Sequence, residues 1–535
     1  MSGAARTPDA IVRFLSTPGS YPHPVESVVH DETHISHLFF AGEFVYKVKK
    51  PVDLKFLDFT TLEKRRAASE AEVRLNRRIA PDVYLGVVEI REGGEADEGA
   101  GGGGALSFDG SGSVVEVAVR MRRLPEEWRL SDAVDRGTAS LDTLRRLGRL
   151  VADFHARAET SPEIARFGTR EVIAGNCREN FEQTEPYIGR TIEREDWTAI
   201  RDEVERALRA QASVFDARVA AGRIRDCHGD ILPEDIFVDP ETGAIHVLDC
   251  IEFNDRFRYS DTVADVAFVS MDLRNRGRDD YAEAFLEAYF RASDDERHPM
   301  LLAFYECYRA YVRGKVRSFL ADQAGEDSEA GRGAAEQARR YFRLARELAG
   351  RMRPRLVLVA GLVGSGKTTL AANLGREAKV EVLQSDRVRK SLAGLDAREA
   401  RWETFGSGIY APEWTQRTYE ALLEEAGRAL ADGRSVILDA SWSKAEWRAR
   451  AREVAETHEA LFVIVECAAP EAVLRRRLSS RRPGQRATDG RLEILEPQRA
   501  GYEPLDAAEA DRVLQVETTG DARALAAQVH AEAFS

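Results

Sequence analysis

The chain has 535 residues, of which 43% are hydrophobic and 31% are charged, and its formal net charge is −14. This length exceeds what one hydrophobic core usually serves and predicts about three structural units in a globular protein. The chain has no run of about 18 apolar residues that could span a membrane, and its acidic balance argues mildly against a nucleic-acid scaffold.

The N-terminal stretch and the cysteines bear on the cellular compartment. The sequence MSGAARTPDAIVRFL lacks a charged region followed by an apolar core, so we expect no export signal. The five cysteines are scattered, odd in number and without a C-x-x-C pair. Such cysteines are typical of reduced thiols, which predicts a cytoplasmic protein.

The first part of the chain predicts a small β-rich region. We expect a hairpin at residues 28–50, with its turn at 41–43, and then a helix at residues 60–79. Two strands follow, at residues 83–90 and 114–121. Lys47 and Lys49 then share one strand face, and Glu72 lies on the helix. A lysine on a strand and a glutamate on the next helix hold ATP phosphates in kinase-type small lobes, but the same residues are common on solvated faces.

Two carboxylates stand at the ends of one predicted β unit further along the chain. Helical patterns at residues 141–157 and 197–221 are followed by CHGDILPEDIFVDPETGAIHVLDCIEF. In this stretch Asp230 precedes a predicted hairpin and Asp249 follows it. A kinase needs one carboxylate to accept the proton of the acceptor hydroxyl and another to hold Mg²⁺ on the phosphates.

On these residues, positions 1–345 resemble the aminoglycoside phosphotransferase-like, protein-kinase-like family of small-molecule kinases. The resemblance implies an α+β bilobal domain with a small lobe at residues 1–122 and a large helical lobe at residues 123–345. It also implies that Asp230 is the catalytic base and Asp249 a Mg²⁺ ligand. By the same resemblance Lys47 is the ATP-binding lysine and Glu72 is its acidic partner.

Two positions depart from that family's usual H-G-D-x-H-x-x-N pattern. Leu232 stands where the second histidine is expected, and Asp235 stands where the metal-binding asparagine is expected. An aspartate can also ligate Mg²⁺, but it adds a negative charge to the site. The sequence therefore leaves open whether this domain transfers phosphate or is a nucleotide-binding pseudokinase or a packing scaffold.

A phosphate-binding loop is predicted after the helical region, which ends at Pro354 and leaves a linker at residues 346–354. The sequence RLVLVAGLVGSGKTTL presents a β-branched strand, a glycine loop and a helix start in that order. Glycines allow successive N–H groups to surround a polyphosphate, while the lysine reaches the β and γ phosphates and the first threonine holds Mg²⁺. The residues predicted to bind the nucleotide are Gly361, Gly364, Ser365, Gly366, Lys367, Thr368 and Thr369.

Carboxylates follow the next two predicted strands, and the alternation of strands and helices predicts an α/β domain with a mainly parallel sheet. Asp386 follows the second strand and could deprotonate an acceptor hydroxyl. Arg389 lies three residues further on and could hold the acceptor. Asp439 ends the next apolar run, as a Walker-B-like residue would.

On the motifs SDRVRK and DASWSKAEWR, residues 355–535 resemble AAA-type P-loop kinases related to gluconate kinase, zeta toxins and polynucleotide 5′-kinases. The resemblance implies that Asp386 is the acceptor base, Asp439 assists the metal and Arg448 contacts the substrate. Such kinases use lid arginines to neutralise charge on the transferred group, and Arg481 and Arg482 are the candidates here. A solvated helix face is the alternative reading for this basic run.

Together these sites predict a two-domain ATP-dependent phosphotransferase with Mg²⁺ as cofactor, acting on a hydroxyl of a small molecule. The N-terminal domain would act on a second substrate or regulate the first. Two alternatives stay open. One is a polynucleotide 5′-hydroxyl kinase, although the composition of the C-terminal domain does not indicate the basic channel that such an enzyme needs. The other is a nucleotide-driven regulatory switch. The sequence identifies neither the acceptors nor the oligomeric state.

Overall fold

The computed structural model describes residues 8–54, 57–93, 106–108, 112–325, 327–396, 407–480 and 492–534. The chain forms two compact units, Met1–Arg346 and Glu347–Ser535. Within the described ranges, no helix has both the length and the apolar character that crossing a bilayer requires.

The first unit begins with a small lobe built on an antiparallel sheet. Its elements are α1 (Pro8–Leu15), β1 (Val28–Glu32), β2 (Ser36–Ala41), β3 (Phe44–Lys49), α2 (Leu62–Asn76), β4 (Tyr84–Glu92), β5 (Leu106–Ser107) and β6 (Ser113–Arg122). The described strands follow the order β1-β2-β3-β6-β4-β5, and each neighbouring pair is antiparallel.

The two faces of β3 have different neighbours, which decides where its lysines point. Tyr46 and Val48 belong to a core cluster with α1, whereas Val45 packs with Val73 of α2. Because side chains alternate along a strand, Lys47 lies on the same face as Val45 and points towards α2. The tight turn before β3 is made by Gly42, whose φ of +61° suits a residue without Cβ.

The large lobe of the first unit is mainly helical. Its elements are α3 (Leu130–Asp135), α4 (Leu141–Arg157), α5 (Pro162–Ala165), α6 (Arg170–Thr184), α7 (Arg194–Ala210), α8 (Ala212–Ala220), β7 (Ile224–Asp226), β8 (Ile236–Val238), β9 (Ile245–Val247), α9 (Asp255–Arg258), β10 (Tyr259–Asp261), α10 (Thr262–Asn275), α11 (Asp279–Ala292), α12 (Pro299–Ala324) and α13 (Glu329–Gly350). Strand β8 pairs with β9, and β7 pairs with β10. Every residue from Thr262 to Leu273 is buried, so α10 forms the centre of this lobe.

One helical stretch of this lobe is divided into two helices. The helical pattern predicted at residues 197–221 is formed by two helices, α7 and α8, which meet at Gln211. The backbone of Gln211 has φ −101° and ψ 19°, outside the helical region. Neither a proline nor a glycine marks this break, so the helical periodicity continues through it in the sequence.

The second unit is an α/β domain with a parallel sheet. Its elements are β11 (Arg355–Ala360), α14 (Lys367–Ala378), β12 (Glu381–Gln384), α15 (Ser385–Leu392), α16 (Pro412–Ala431), β13 (Val436–Asp439), α17 (Ala445–Thr457), β14 (Leu461–Ala468), α18 (Glu471–Ser479), α19 (Leu492–Ala500), β15 (Arg512–Glu517) and α20 (Ala522–Ala533). The strands follow the order β12-β13-β11-β14-β15, and each neighbouring pair is parallel.

Strand β11 lies at the middle of this sheet and is buried along its whole length. Leu356 and Leu358 pack with α16 and α17, whereas Val357 and Val359 pack with α14 and α20. Helices on both faces explain why the strand reads as a continuous apolar run in the sequence. The fold class predicted from the sequence, an α+β kinase-like domain followed by an α/β P-loop domain, is confirmed.

Candidate active sites

Lys47 lies between two carboxylates, one from α2 and one from the segment after β9. Its Nζ is 2.9 Å from Glu72 Oε1 and 2.6 Å from Asp249 Oδ1. Burial alone lowers the pKa of Lys47, but the attraction of Asp249 and Glu72 holds it well above its usual value. The structure therefore brings together three residues that the sequence analysis assigned to nucleotide and metal binding.

A second lysine completes this charge cluster. The side chain of Lys49 is 1% exposed, its Nζ lies 2.8 Å from Glu72 Oε2, and it also forms an ion pair with Glu252. Glu72 is thus shared between two ammonium groups. The spacing of the two lysines was visible in the sequence, but Glu252 was missed because it lies 203 positions away from Lys49.

The segment that carries Asp230 is held from behind by Asp265 of α10. The backbone N–H groups of His228 and Gly229 donate to the Asp265 carboxylate at 2.9 and 2.7 Å. The φ of Gly229 is +93°, and a Cβ there would lie 2.9 Å from a backbone oxygen of the neighbouring segment, so glycine is required. The backbone is therefore fixed immediately before Asp230.

Three aspartates of this site repel one another. Burial raises the pKa of Asp230 to about 6. The attraction of Arg313 lowers this pKa, whereas the repulsion of Asp249 raises it. Burial and the charges of Asp249 and Asp230 also raise the pKa of Asp235 well above its usual value. Lys47 holds the pKa of Asp249 below its usual value. Near pH 7 Asp230 is mainly ionised and can accept a proton, and the mutual repulsion of the three carboxylates fits a divalent cation such as Mg²⁺.

Asp249 has an uncommon backbone conformation that its neighbours stabilise. Its φ of +66° lies in the left-handed region, which costs a residue with Cβ about 1–2 kcal/mol. Its N–H donates to the Tyr84 hydroxyl at 3.1 Å, and the N–H of Cys250 donates to Asn76 Oδ1 at 2.9 Å. Such strain is typical of functional sites whose surroundings fix the geometry.

The two departures from the family pattern have different structural outcomes. Leu232 is 1% exposed, so an apolar residue fits the position where the second histidine was expected. Asp235 belongs to the carboxylate group described above, and its backbone carbonyl accepts the N–H of Leu248 at 2.9 Å. The substitution of Asn by Asp therefore adds an acid to the site without altering this backbone contact.

In the second unit, the loop between β11 and α14 has the conformation that the glycine spacing predicted. Gly361, Gly364 and Gly366 have φ values of +138°, +84° and +92°. A Cβ on Gly361 would lie 2.5 Å from the carbonyl oxygen of Cys467, so this loop could not approach β14 with a larger residue. The hydroxyl of Ser365 is buried without a hydrogen-bond partner among the described residues, which fits a loop that receives a ligand.

The N-terminus of α14 faces a buried carboxylate at the edge of the sheet. Asp439 ends β13 between the ends of β11 and β12 and is 3% exposed. Burial raises its pKa to about 6, although Lys367 and a hydrogen bond from the Thr368 hydroxyl lower it. This arrangement brings together the predicted phosphate-binding lysine and both predicted metal ligands, whereas Thr369 lies one residue further along α14 and is exposed.

Asp386 lies in the first turn of α15, directly after β12. Arg389 Nη1 donates to Asp386 Oδ1 at 3.1 Å, and its guanidinium carbon lies 4.8 Å from the ring centroid of Tyr410. The Nε of Arg389 has no hydrogen-bond partner among the described residues. Arg389 therefore orients the Asp386 carboxylate and keeps a donor for another group.

The structure corrects the role predicted for Arg448. Its side chain is 1% exposed, and its five N–H groups all donate within the fold. The acceptors are the carboxylate of Glu509 and the carbonyl oxygens of Trp442, Glu503 and Pro504. Arg448 thus fixes the segment before β15 and has no donor left for a substrate.

We expect the substitution Arg448→Met to lower the free energy of unfolding of the second unit by about 3 kcal/mol, because it leaves Glu509 and three carbonyls without their donor. Arg450→Met is the matched control on the same helix. Arg450 pairs with Glu420 at 3.5 Å while both side chains are about 40% exposed, so its loss should cost under about 0.5 kcal/mol. Calorimetric unfolding of the full chain measures both, and equal effects would contradict the structural role.

The basic run of α18 contains a contact that the sequence analysis did not single out. Arg477 Nη1 donates to the carbonyl of Gly364 at 3.2 Å, and its Nη2 donates to the carbonyl of Thr518 at 2.6 Å. The Thr518 hydroxyl in turn donates to the carbonyl of Ser365. Arg477 therefore braces the glycine loop from α18. The predicted lid residues Arg481 and Arg482 lie outside the described residues.

Known proteins are similar to both units. The model of the phosphotransferase enzyme family matches residues 45–303, and the model of an AAA domain matches residues 356–505. The protein Rv2004c of Mycobacterium tuberculosis is 32% identical over 465 residues, which cover 86% of this chain and 88% of the relative. The family resemblance predicted from the sequence is thus confirmed.

Two solved structures are also similar. A choline/ethanolamine kinase family protein from Mesorhizobium loti has 12% sequence identity and a TM-score of 0.36, over 63% of this chain and 98% of that chain. A sugar kinase from Janibacter sp. HTCC2649 has 21% sequence identity and a TM-score of 0.26, over 33% of this chain and 93% of that chain.

Proposed function

Because the chain belongs to the family of the mycobacterial protein Rv2004c and joins a phosphotransferase domain to a P-loop AAA domain, we propose that it is a bifunctional kinase. Each domain transfers the γ-phosphoryl group of ATP to a hydroxyl of a small molecule. One observation carries this proposal: each unit groups a lysine with two carboxylates. In the first unit Lys47 pairs with Asp249, whose charge in turn acts on Asp230, and in the second unit the charges of Lys367 and Asp386 both act on Asp439.

In the second unit, the residues divide the reaction between binding and proton transfer. The N–H groups of the glycine loop and the ammonium group of Lys367 bind the β and γ phosphates. Asp386, oriented by Arg389 at 3.1 Å, accepts the proton of the acceptor hydroxyl as that oxygen attacks. Thr368 and Asp439 are the residues that would hold Mg²⁺, and their contact supports this assignment.

In the first unit, Lys47 binds the phosphates and Asp230 accepts the proton of the hydroxyl. Asp249 and Asp235 are the residues that would hold Mg²⁺, since their carboxylates already repel each other. When bound in either site, Mg²⁺ would neutralise charge that develops on the transferred group. The geometry around Asp230 supports an active kinase more than a scaffold, because Asp265 and Gly229 fix that loop.

Two cations of α12 support an acceptor that carries negative charge for the first unit. Arg313 of α12 attracts Asp230, and its Nη2 lies 2.9 Å from Glu234 Oε1. Two residues further along α12, Lys315 donates to two neutral amide oxygens, at 2.6 and 2.8 Å. Burial lowers the pKa of Lys315 to about 8, and among the described residues its hydrogen-bond acceptors are amide oxygens and not carboxylates. A cation held by neutral groups is suited to a carboxylate or phosphate of a ligand.

The experiment is a panel of acceptors incubated with labelled ATP and Mg²⁺. The panel contains sugar acids and sugar phosphates, the matching neutral sugars, nucleosides, cationic amino sugars and 5′-hydroxyl oligonucleotides. Running it with the Lys367→Ala and Asp230→Asn chains assigns each product to one domain. We expect small-molecule products from both domains and, for the first unit, faster transfer to the anionic acceptors than to their neutral counterparts.

The same panel separates the alternatives. Transfer to oligonucleotides alone would favour a polynucleotide 5′-hydroxyl kinase. Release of free phosphate with every acceptor would favour an ATP-binding regulatory switch. Products that persist unchanged in the Lys367→Ala chain and vanish in the Asp230→Asn chain would restrict the kinase activity to the first unit.

We also propose that the protein functions in a reducing cytoplasm. All five cysteines are free and buried. Burial raises the pKa of the Cys177 thiol to about 12, so this thiol is un-ionised near pH 7. Free thiols of this kind support a compartment in which disulfides do not form.

A further inference from the structure

Three side chains that the kinase chemistry does not use converge on one face of the β1–β2 hairpin. His30 and Glu32 are two residues apart on β1 and therefore share a face. In the strand register, Glu32 lies directly opposite His37 of β2, and His30 lies opposite Phe39. The ring of His30 stacks on that of Phe39 with centroids 4.6 Å apart and planes 5° apart, which fixes the orientation of the imidazole.

The donor atoms of these three side chains have the spacing of metal ligands. His30 Nε2 lies 3.1 Å from His37 Nδ1, and His37 Nδ1 lies 3.5 Å from Glu32 Oε2. One atom from each residue lies within 4.8 Å of the other two. Ligands at 2.0–2.1 Å from a tetrahedral ion are separated by roughly 3.3 Å, so an ion fits among these atoms with small side-chain movements.

We propose that His30, Glu32 and His37 form a binding site for a divalent transition-metal ion, with Zn²⁺ as the best match. Two imidazole nitrogens and one carboxylate oxygen are ligands typical of Zn²⁺, whereas Mg²⁺ and Ca²⁺ prefer oxygen donors. Water completes the tetrahedron, because the side chain of Glu32 is 59% exposed. The ion links β1 to β2, and β1 lies at the edge of the small-lobe sheet among the strands that the structure describes.

One neighbouring charge competes with the ion. Lys50 Nζ lies 2.9 Å from Glu32 Oε2, the same oxygen that lies near His37. Metal binding has to displace or share this contact, so the ammonium group weakens the affinity for a cation. Removing the charge of Lys50 should therefore strengthen metal binding, which a simple hydrogen bond between the two histidines would not predict.

The described residues contain a second group of possible metal ligands, His155, Cys227 and Asp265. In this group the ligand atoms of His155 and Asp265 already have partners within the fold. Both ring nitrogens of His155 already have partners, the Tyr289 hydroxyl at 2.9 Å and Asp265 at 3.1 Å. Asp265 also accepts the two backbone N–H groups before Asp230. That group is explained by its support of the catalytic segment.

The test is titration of the metal-free full chain with Zn²⁺ by isothermal calorimetry, with Mg²⁺ as the comparison ion. Co²⁺ absorption spectra give a second readout, because a tetrahedral site with nitrogen ligands has a characteristic visible band. We expect one Zn²⁺ per chain at this site, affinity at least about tenfold weaker in His30→Ala and His37→Ala, and tighter binding in Lys50→Ala.

His34→Ala is the matched control, since His34 lies in the turn between the same two strands and outside the ligand group. Its affinity should equal that of the natural chain. Thermal unfolding of each variant without metal checks that the small lobe remains folded. Absence of Zn²⁺ binding, or Zn²⁺ binding that is unchanged in both His30→Ala and His37→Ala, would overturn the proposal.

Discussion

Replacement of Lys367 by Ala is expected to abolish phosphotransfer by the second unit, with a loss of at least about 10²–10³-fold in kcat. Two physical effects add. The ammonium group that neutralises the phosphates is removed, and Asp439 loses the attraction that lowers its pKa. Burial raises the pKa of Asp439 to about 6 and Lys367 lowers it, so losing this cation raises the pKa further and favours the protonated form of a carboxyl group that would hold the metal. Initial rates with an acceptor from the panel measure the loss.

Asp386→Asn separates acceptor activation from ATP binding. Asn keeps the shape and can still accept the hydrogen bond from Arg389, but it cannot take the proton of the hydroxyl. We expect kcat to fall by about 10²–10⁴-fold while calorimetry shows ATP binding close to that of the natural chain. Lys444→Ala removes an exposed lysine of the same unit and should change neither quantity. Loss of ATP binding in Asp386→Asn would mean that the base is assigned wrongly.

The glycine loop could be predicted because its determinants are adjacent in the chain. A buried strand, three glycines with positive φ and a helix start lie within residues 355–370, and each has a local pattern. Asp386 and Asp439 could also be predicted from the sequence. Asp386 follows a strand and Asp439 ends one, and parallel strands end at the same edge of their sheet.

The errors and omissions concern side chains whose partners come from distant segments. Arg448 lies in a motif that predicted a substrate contact, but the chain from Glu503 to Glu509 folds back and accepts four of its five hydrogen bonds. The role of Arg477 depends on Thr518, 41 positions later. Long arginine side chains reach partners that no periodicity identifies, so packing decides between a structural and a functional role.

In the first unit, Asp249→Asn is expected to weaken Mg²⁺-dependent ATP binding. Asparagine is among the few residues with Cβ that adopt positive φ readily, so it tolerates the φ of +66° and tests the charge alone. Asp249→Ala removes the charge and also adds a backbone cost of about 1–2 kcal/mol. Affinity measured by calorimetry in the Lys367→Ala background, in which the second site is impaired, should fall at least about tenfold for both variants.

Asp230→Asn in the same background distinguishes an active kinase from a pseudokinase. Asp230 lies after the segment fixed by Asp265 and has no part in the contacts of Lys47, so its loss should leave ATP binding intact. If the unit is a kinase, transfer falls by about 10²–10⁴-fold while binding persists. If it is a pseudokinase, Asp249→Asn still weakens ATP binding, but Asp230→Asn changes nothing that can be measured. If Asp249→Asn leaves the ATP affinity unchanged, the result contradicts both an active kinase and a nucleotide-binding pseudokinase. The first unit would then be a scaffold for the activity of the second unit.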